Sequence, residues 1–182
     1  MVKLRWASSL VVLGSQLAVA FGASGPIADG ESPAYMRVTL RGIKAVDVQV
    51  APIRPEIENL GLRTDQIQTD VELELRRNRI PIAQDSTGAT GHLYLVMNCQ
   101  ELSGPKGILA CSVLLELIQD VRLVRDPSIT SLAPTWNDGG IVTGNADRLT
   151  DLRQTIRDFV DEFSNTYLEQ NGKGNHVNAI HH

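Results

Sequence analysis

The side chains that could do chemistry are few, and their spacing does not favour it. Of the four histidines, His176, His181 and His182 lie at the extreme C-terminus, and only His92 falls within a patterned segment. A histidine-activated nucleophile would have to be built on His92, whose place at the start of a strand predicts a half-exposed imidazole instead. The tail histidines could pick up a transition metal, but a dedicated site needs a fixed ligand geometry. Carboxylates are plentiful. Asp147, Asp151, Asp158 and Glu162 fall on roughly one face of a C-terminal helical pattern, where a divalent cation could be held. Arg148, Arg153 and Arg157 lie among them, so the stripe reads as a solvated, charge-balanced face. Glu72 and Glu74 are two residues apart, point different ways on a helix, and cannot act as an acid–base pair.

Recognisable reaction motifs are missing. The chain has no G-x-S-x-G elbow, no G-x-x-x-x-G-K-[ST] phosphate loop, no G-x-G-x-x-G, no H-E-x-x-H and no Asp-x-Asp calcium spacing. Ser103-Gly104-Pro105-Lys106-Gly107 has the wrong spacing for a phosphate loop, and its proline lacks an N–H, so it reads as a hairpin turn. Arg76, Arg77 and Arg79 cluster at the end of a helical pattern, where positive charge complements the helix dipole. No catalytic residue, metal ligand or cofactor is predicted.

The cysteines carry a sharper expectation. Cys99 and Cys111 lie in two strand-like runs placed symmetrically about Pro105. A hairpin turning there sets them opposite each other on the apolar side, where an oxidising compartment would join them as a disulfide. The other possibility is two buried thiols acting as small hydrophobes. A C-x-x-C redox pair is absent.

The elements that must position these residues follow from periodicity. Val46, Val48 and Val50 alternate with Asp47 and Gln49, the signature of a half-buried strand. A helix is predicted from Thr64 or Asp65, either of which could cap it, with Ile67, Val71 and Leu75 on one face. Ile80–Ala83 reads as a short strand. His92–Gln100 is a strand with Leu93, Leu95, Met97 and Cys99 on one side, and Leu109 to about Arg125 a longer one with Cys111, Val113, Leu115 and Leu117 inward. Asp126–Gly144 reads as a loop, because Pro127, Pro134 and Asn137-Asp138-Gly139-Gly140 are turn signals. Ile141-Val142 could add a brief strand. The last helix carries Leu149, Leu152, Ile156, Phe159 or Val160, and Phe163, continued by Tyr167 or Leu168. Asn145 or Asp147 is its expected cap, and Asn171-Gly172 its end. The predicted fold is α+β: a two-layer sandwich of about four mostly antiparallel strands with two helices on one face, in the order β-α-β-β-β-α.

The ends of the chain carry an address. Lys3 and Arg5 precede an apolar run from Ala7 to Phe21, and Ala18-Val19-Ala20 offers a cleavage site, so residues 1–20 read as a signal peptide cut after Ala20, with Ala23 as the second choice and a retained membrane anchor as the other reading of a run that is short and polar for a span. No stable membrane anchor is expected after cleavage, and no cysteine follows the run to take a lipid. Residues 21–37 read as a flexible leader, 38–172 as one domain and 173–182 as a disordered tail. Within 182 residues, 42% are hydrophobic and 21% charged, ordinary for a globular chain. Without residues 1–20 the chain keeps 15 Lys and Arg against 21 Asp and Glu. That acidic balance argues against nucleic-acid binding.

The second face of the sheet is the most informative feature. Tyr94, Val96, Leu114 and Ile118 point away from the predicted core, alternate with nothing but Asn98 and Glu116, and are too apolar for a face left in water. Either the 126–144 loop folds across them, or another protein does. Trp136 reads as a plug from that loop or as an exposed anchor for a partner, since tryptophan is enriched at binding hot spots.

The apolar run near the N-terminus, Gly42–Val50, the segment Leu73–Ile80 and the final helix together resemble small exported bacterial proteins of uncharacterised role. More loosely, the order of elements over Val38–Leu168 resembles envelope assembly modules: the LPS-assembly lipoprotein and the N-terminal domain of the Tol system's propeller protein. The missing lipidation cysteine departs from the former. The expected function is a non-enzymatic periplasmic or secreted interaction protein, binding an envelope protein or itself through the sheet face or edge at Tyr94, Val96, Leu114, Ile118 and Trp136. The alternatives are a small-molecule or lipid binder with its site between the sheet and loop 126–144, and a hydrolase working with carboxylates alone.

Overall fold

A computed structural model describes residues 32–84, 87–102, 108–145 and 149–172. The chain runs through α1 (Ala34–Arg37), a 3-10 turn (Val38–Leu40), β1 (Val46–Val50), α2 (Pro55–Glu58), α3 (Thr64–Arg77), β2 (Gly91–Glu101), β3 (Ile108–Leu123), β4 (Asp126–Asn145) and α4 (Leu149–Gly172). The four strands form one sheet in the order β1-β2-β3-β4. β1 lies parallel to β2, and the other neighbours are antiparallel. The parallel pair requires a crossover, which α3 supplies.

Alternation decides which face becomes the core. Leu93, Leu95, Met97 and Cys99 of β2 are buried, as are Leu109, Cys111, Val113, Leu115 and Leu117 of β3. Both long helices lay their apolar stripes on this face. α3 buries Ile67, Val71 and Leu75, and α4 buries Leu152, Ile156, Val160, Phe163 and Tyr167. At the two positions where the α4 stripe was ambiguous, Val160 and Tyr167 turn inward, while Phe159 is only partly covered and Leu168 is 44% exposed. The helices are tied side by side by Asn78 Nδ2, which donates to Asp161 at 2.9 Å, and by Arg153, which donates to Gln66 at 2.6 Å. The far end of α4 holds the segment before β1: Tyr167 Oη donates to the Ile43 carbonyl at 3.0 Å and Asn171 Nδ2 to the Leu40 carbonyl at 2.9 Å. This is the α+β sandwich with helices on one face that the pattern predicts.

Several local expectations need correction. Asp126–Gly144 is not a loop. It is most of β4, a 20-residue edge strand. Proline is tolerated there because an edge strand needs N–H groups on one side only. The irregular residues fall at two breaks in register, between Leu117 and Ile118 and between Arg122 and Leu123. At the second break Asp126 accepts from the Ser128 amide and hydroxyl, which closes the excursion around Pro127 and holds the Asp126 carboxyl below its ordinary pKa. Beyond Ile118 the β3–β4 pair continues without β2, as a two-stranded ribbon turning at Val124-Arg125. Ile80–Ala83 is not a strand of the sheet either. It makes one parallel bridge, Ile82 to Val46. The order β-α-β-β-β-α survives because β4 takes the place of that strand.

The leader is expected to reach residue 37, but Ala34–Arg37 is already helical, and Val38–Leu40 is a 3-10 turn. Thr64 does not cap α3. It is the first helical residue, and its hydroxyl accepts from the Ile53 amide and donates to Glu58. Asn145 ends β4. Residues 1–31, the turn at 103–107, Asp147 and the tail 173–182 lie outside the described residues.

Two covalent and conformational features carry measurable energy. Cys99 and Cys111 are register partners joined by a disulfide, with Cα atoms 4.0 Å apart. Closing a loop of this size removes about 3 kcal/mol of unfolded-state entropy. At the end of α3, Ile80 N–H reaches the Leu75 carbonyl and Arg79 N–H the Arg76 carbonyl, a Schellman closure. Its pivot is Arg79 at φ 61°, a left-handed position where glycine is the usual residue. The double variant Cys99→Ala/Cys111→Ala is expected to lose roughly 3 kcal/mol in urea unfolding and to become insensitive to reductant, unlike the parent. Arg79→Gly is expected to gain about 1 kcal/mol in the same assay by relieving the side-chain clash.

Candidate functional site

The helices occupy one side of the sheet, so the other side is where unassigned side chains collect. Along β1 it presents Asp47 and Gln49. Along β2 it presents His92, Tyr94, Val96 and Asn98, and along β3 Ser112, Leu114, Glu116 and Ile118. The register sets Val96 directly opposite Leu114, His92 opposite Ile118 and Tyr94 opposite Glu116. Tyr94, Val96, Leu114 and Ile118 are each half-buried. Leu114 lies over Gly139 of β4, where an added Cβ would stand 3.0 Å from its Cδ1 and 2.7 Å from the Val113 carbonyl oxygen. A residue without a side chain is required at this point for the two strands to close.

The sequence thus brings four of its five candidate partner-binding residues onto one surface. Trp136 is not among them. It pairs with Leu117 on the opposite, helix-covered side and is 0% exposed. Its ring meets Phe163 edge-on at a centroid distance of 5.2 Å. The alternation that makes β4 a strand places Trp136 in the core, so it is no exposed anchor. Its Nε1 has no hydrogen-bond partner among the described residues. A buried unpaired donor of this kind costs about 1–3 kcal/mol, which the apolar burial of the indole has to exceed.

One polar pair was not legible. His92 Nδ1 lies 2.5 Å from Asp47 Oδ1, and Gln49 Nε2 donates to Asp47 Oδ2 at 2.9 Å. Both carboxylate oxygens are therefore engaged, which explains how Asp47 is buried at the border of the face. The pairing depends on the parallel register of β1 with β2, Asp47 opposite His92, and that register is set by the intervening crossover. The only available signal was that Asp47 and His92 share a face in neighbouring strands. Among the described residues no hydroxyl or thiol is hydrogen-bonded to the His92 ring, and no three His, Cys, Asp or Glu side chains converge as metal ligands.

The remaining candidates separate. Arg76 and Arg77 pair with Glu72 and Glu74 on their own helix, at 2.8 and 3.1 Å. On the acidic side of α4, Asp158 accepts from Gln154, Glu162 from Thr166 and the neighbouring Asp161 from Asn78; Asp147 and the Asp151 side chain lie outside the described residues. Open hollows lie among the described residues. One of about 630 Å3 is lined by Glu72, Arg76, Arg79 and the Ile80–Gln84 segment. Another, of about 400 Å3, lies at the Asn98–Ser112 end of the face, bordered by Arg54 and Ile141. The ligand site expected between the sheet and loop 126–144 has no counterpart, since that segment is itself part of the sheet.

No family model matches this chain, and no curated protein does. Among solved structures it is similar to a minor lipoprotein from Acinetobacter baumannii at 13% identity, covering 70% of this chain and 92% of that one, with a TM-score of 0.29. It is also similar to the rare lipoprotein B from Shewanella oneidensis at 13% identity, covering 69% and 91% with the same TM-score of 0.29. At this TM-score the likeness carries neither fold nor function across.

A second ionisable group on β4, besides Asp126, responds to its surroundings. Asp138 lies opposite Leu115, and burial pushes its carboxyl above the ordinary range, while the Gly139 amide, donating to it at 2.8 Å, pulls the other way. A carboxyl with a raised folded-state pKa binds more protons folded than unfolded, so its contribution to stability falls as pH rises through and above the ordinary carboxyl range. Asp138→Asn keeps an acceptor for the Gly139 amide and removes the charge. It is expected to raise the urea midpoint at neutral pH, and the gain should vanish below about pH 3, where the parent carboxyl is protonated in both states.

Proposed function

We propose that this chain is a non-enzymatic interaction protein of the bacterial cell envelope, exported by cleavage after Ala20 to the periplasm or the exterior. It docks a protein partner on the helix-free face of the sheet. The observation that carries the reading is the apolar patch of Tyr94, Val96, Leu114 and Ile118, which no element among the described residues covers. Its border is polar: Asp47 and His92 on one flank, Glu116 within it, Asn98 and Ser112 at one end. An apolar centre with a polar border is the usual anatomy of a binding surface. Tyr94 supplies the kind of large amphipathic side chain that dominates such contacts.

Export is supported by the charged and apolar pattern of residues 1–20 and by the Cys99–Cys111 disulfide, which fits an oxidising compartment. No helix among the described residues is long and apolar enough to cross a membrane. The competing reading, a carboxylate-dependent hydrolase, gains nothing from Asp47, because His92 and Gln49 engage both of its oxygens.

The test uses the chain from Phe21 onward, immobilised and exposed to the envelope fraction of its host, followed by titration of any captured protein. Leu114→Lys is the control, since it places a charge at the centre of the patch without touching the core side. The expected result is a partner that binds the parent and loses roughly thirtyfold or more in affinity to the variant, with the melting temperature unchanged. Equal binding by both forms, or no partner for either, would overturn this docking face.

A further inference from the structure

β4 is the last strand of the sheet, and its outer side has to be accounted for group by group. In an antiparallel ladder, alternate residue pairs exchange both backbone bonds, and the pairs between them sit closer and exchange none. Cys99 and Cys111, with Cα atoms 4.0 Å apart, are a close pair, so the Cys111 backbone groups point away from β2 and toward β4. By alternation Val113, Leu115 and Leu117 do the same. The Leu117 carbonyl accepts from Thr135 Oγ1, and the Val113 carbonyl lies 2.7 Å from where a Cβ of Gly139 would stand. Their register partners Val142, Gly140, Asp138 and Trp136 therefore point back at β3. The backbone groups of Asn137, Gly139, Ile141 and Thr143 point outward.

Sheet proteins protect such edges with prolines, bulges, charges or covering segments. Here the protection is uneven. Residues 126–134 have Pro127, Pro134 and a break in register. At Thr135 the carbonyl takes a hydrogen bond from Thr39 Oγ1 of the 3-10 turn. From Asn137 onward the local protection among the described residues is one side-chain hydrogen bond, the Asp138 carboxylate accepting from the Gly139 amide. Residues 139–144, Gly-Gly-Ile-Val-Thr-Gly, hold no proline and no ionisable side chain, and Ile141 is 78% exposed.

We infer that two copies of this chain pair through the outer edges of β4, antiparallel, about a twofold axis at Ile141. Pairing edge to edge satisfies the outward groups of both copies at once. The register centred on Ile141 sets each exposed isoleucine against its twin and Gly139 opposite Thr143 of the second copy. It sets Asp138 opposite Gly144 of the second copy, so the two carboxylates do not face each other. A like-charge pair, the usual obstacle to self-pairing of an edge, is absent. The ladder ends where the 3-10 turn begins to cover β4, near Thr135. Two four-stranded sheets become one continuous sheet. The pairing does not depend on what docks at Tyr94, Val96, Leu114 and Ile118, because it uses backbone groups of a different strand.

The test is sedimentation of the chain from Phe21 onward over a wide concentration range, alongside three variants. Ile141→Pro removes an outward N–H and leaves the β3 ladder its bonds. Ile141→Cys adds the only thiol outside the native disulfide, at a position whose twin would stand about 5.5 Å away between Cα atoms, within reach of an intermolecular bridge. Val124→Cys, at the 97% exposed hairpin turn, is the control thiol. The expected results are a reversible dimer for the parent, association weakened roughly tenfold or more toward monomer in Ile141→Pro, and a covalent dimer under mild oxidation for Ile141→Cys but not for Val124→Cys. If Ile141→Pro fails to fold by circular dichroism, the two cysteine variants decide. A parent that stays monomeric, or a dimer in which Ile141→Cys cross-links no better than Val124→Cys, would overturn the pairing. Leu114→Lys should leave the dimer intact, so this inference and the docking face can fail separately.

Discussion

The buried stripe of β3, running through Leu109, Cys111, Val113, Leu115 and Leu117, is the constraint on which the rest of the molecule depends. Each of these side chains is buried on the helix-covered side of the sheet, and each also fixes a register on both sides, against β2 and against β4. A slip of one residue would turn the whole stripe to the other face. The disulfide at one end and the Leu117–Trp136 pair toward the other prevent that slip in complementary ways, one covalent and one by filling the core. Once β3 is fixed, the helix-free face follows without further choice. The residues between the core positions have to appear there, whatever their polarity.

How far the sequence foretold this varies with the range of the interaction. Helices α3 and α4 were legible because their burial repeats every three or four residues and requires no knowledge of the neighbour. The Cys99–Cys111 pair was legible because its register depends on one short turn. β4 was misread because proline and paired glycines usually break a strand, and only its place at the edge, a property of the whole sheet, makes them acceptable. Trp136 was ambiguous for the same reason: once its segment is a strand, parity alone puts it in the core. The Asp47–His92 contact depends on a parallel register across an intervening helix, and no local pattern encodes that. Thr64 shows the same limit on a smaller scale, since its hydroxyl serves Ile53 and Glu58 rather than the helix that it opens.

The polar groups of the structure are spent mostly on holding elements together. Asn171 and Tyr167 bind the chain before β1, Asn78 and Arg153 join the helices, and Asp47 joins two strands. What is left for a partner is apolar side chain on the sheet face and bare backbone at the sheet edge. On the proposed reading these two surfaces would recognise by different means: the face by shape and burial, the edge by the alternation of donor and acceptor.

The β3–β4 ribbon beyond Ile118 has a kinetic consequence. From Gln119 to Ala133 no residue is buried, and among the described residues the only ladder partner of each strand is the other. A two-stranded segment of that kind is marginal by itself, and its opening breaks ladder bonds without disturbing the core. The ribbon can therefore open and close on its own clock, with amide exchange there uncoupled from global unfolding, while the same two strands a few residues away exchange only when the whole domain comes apart.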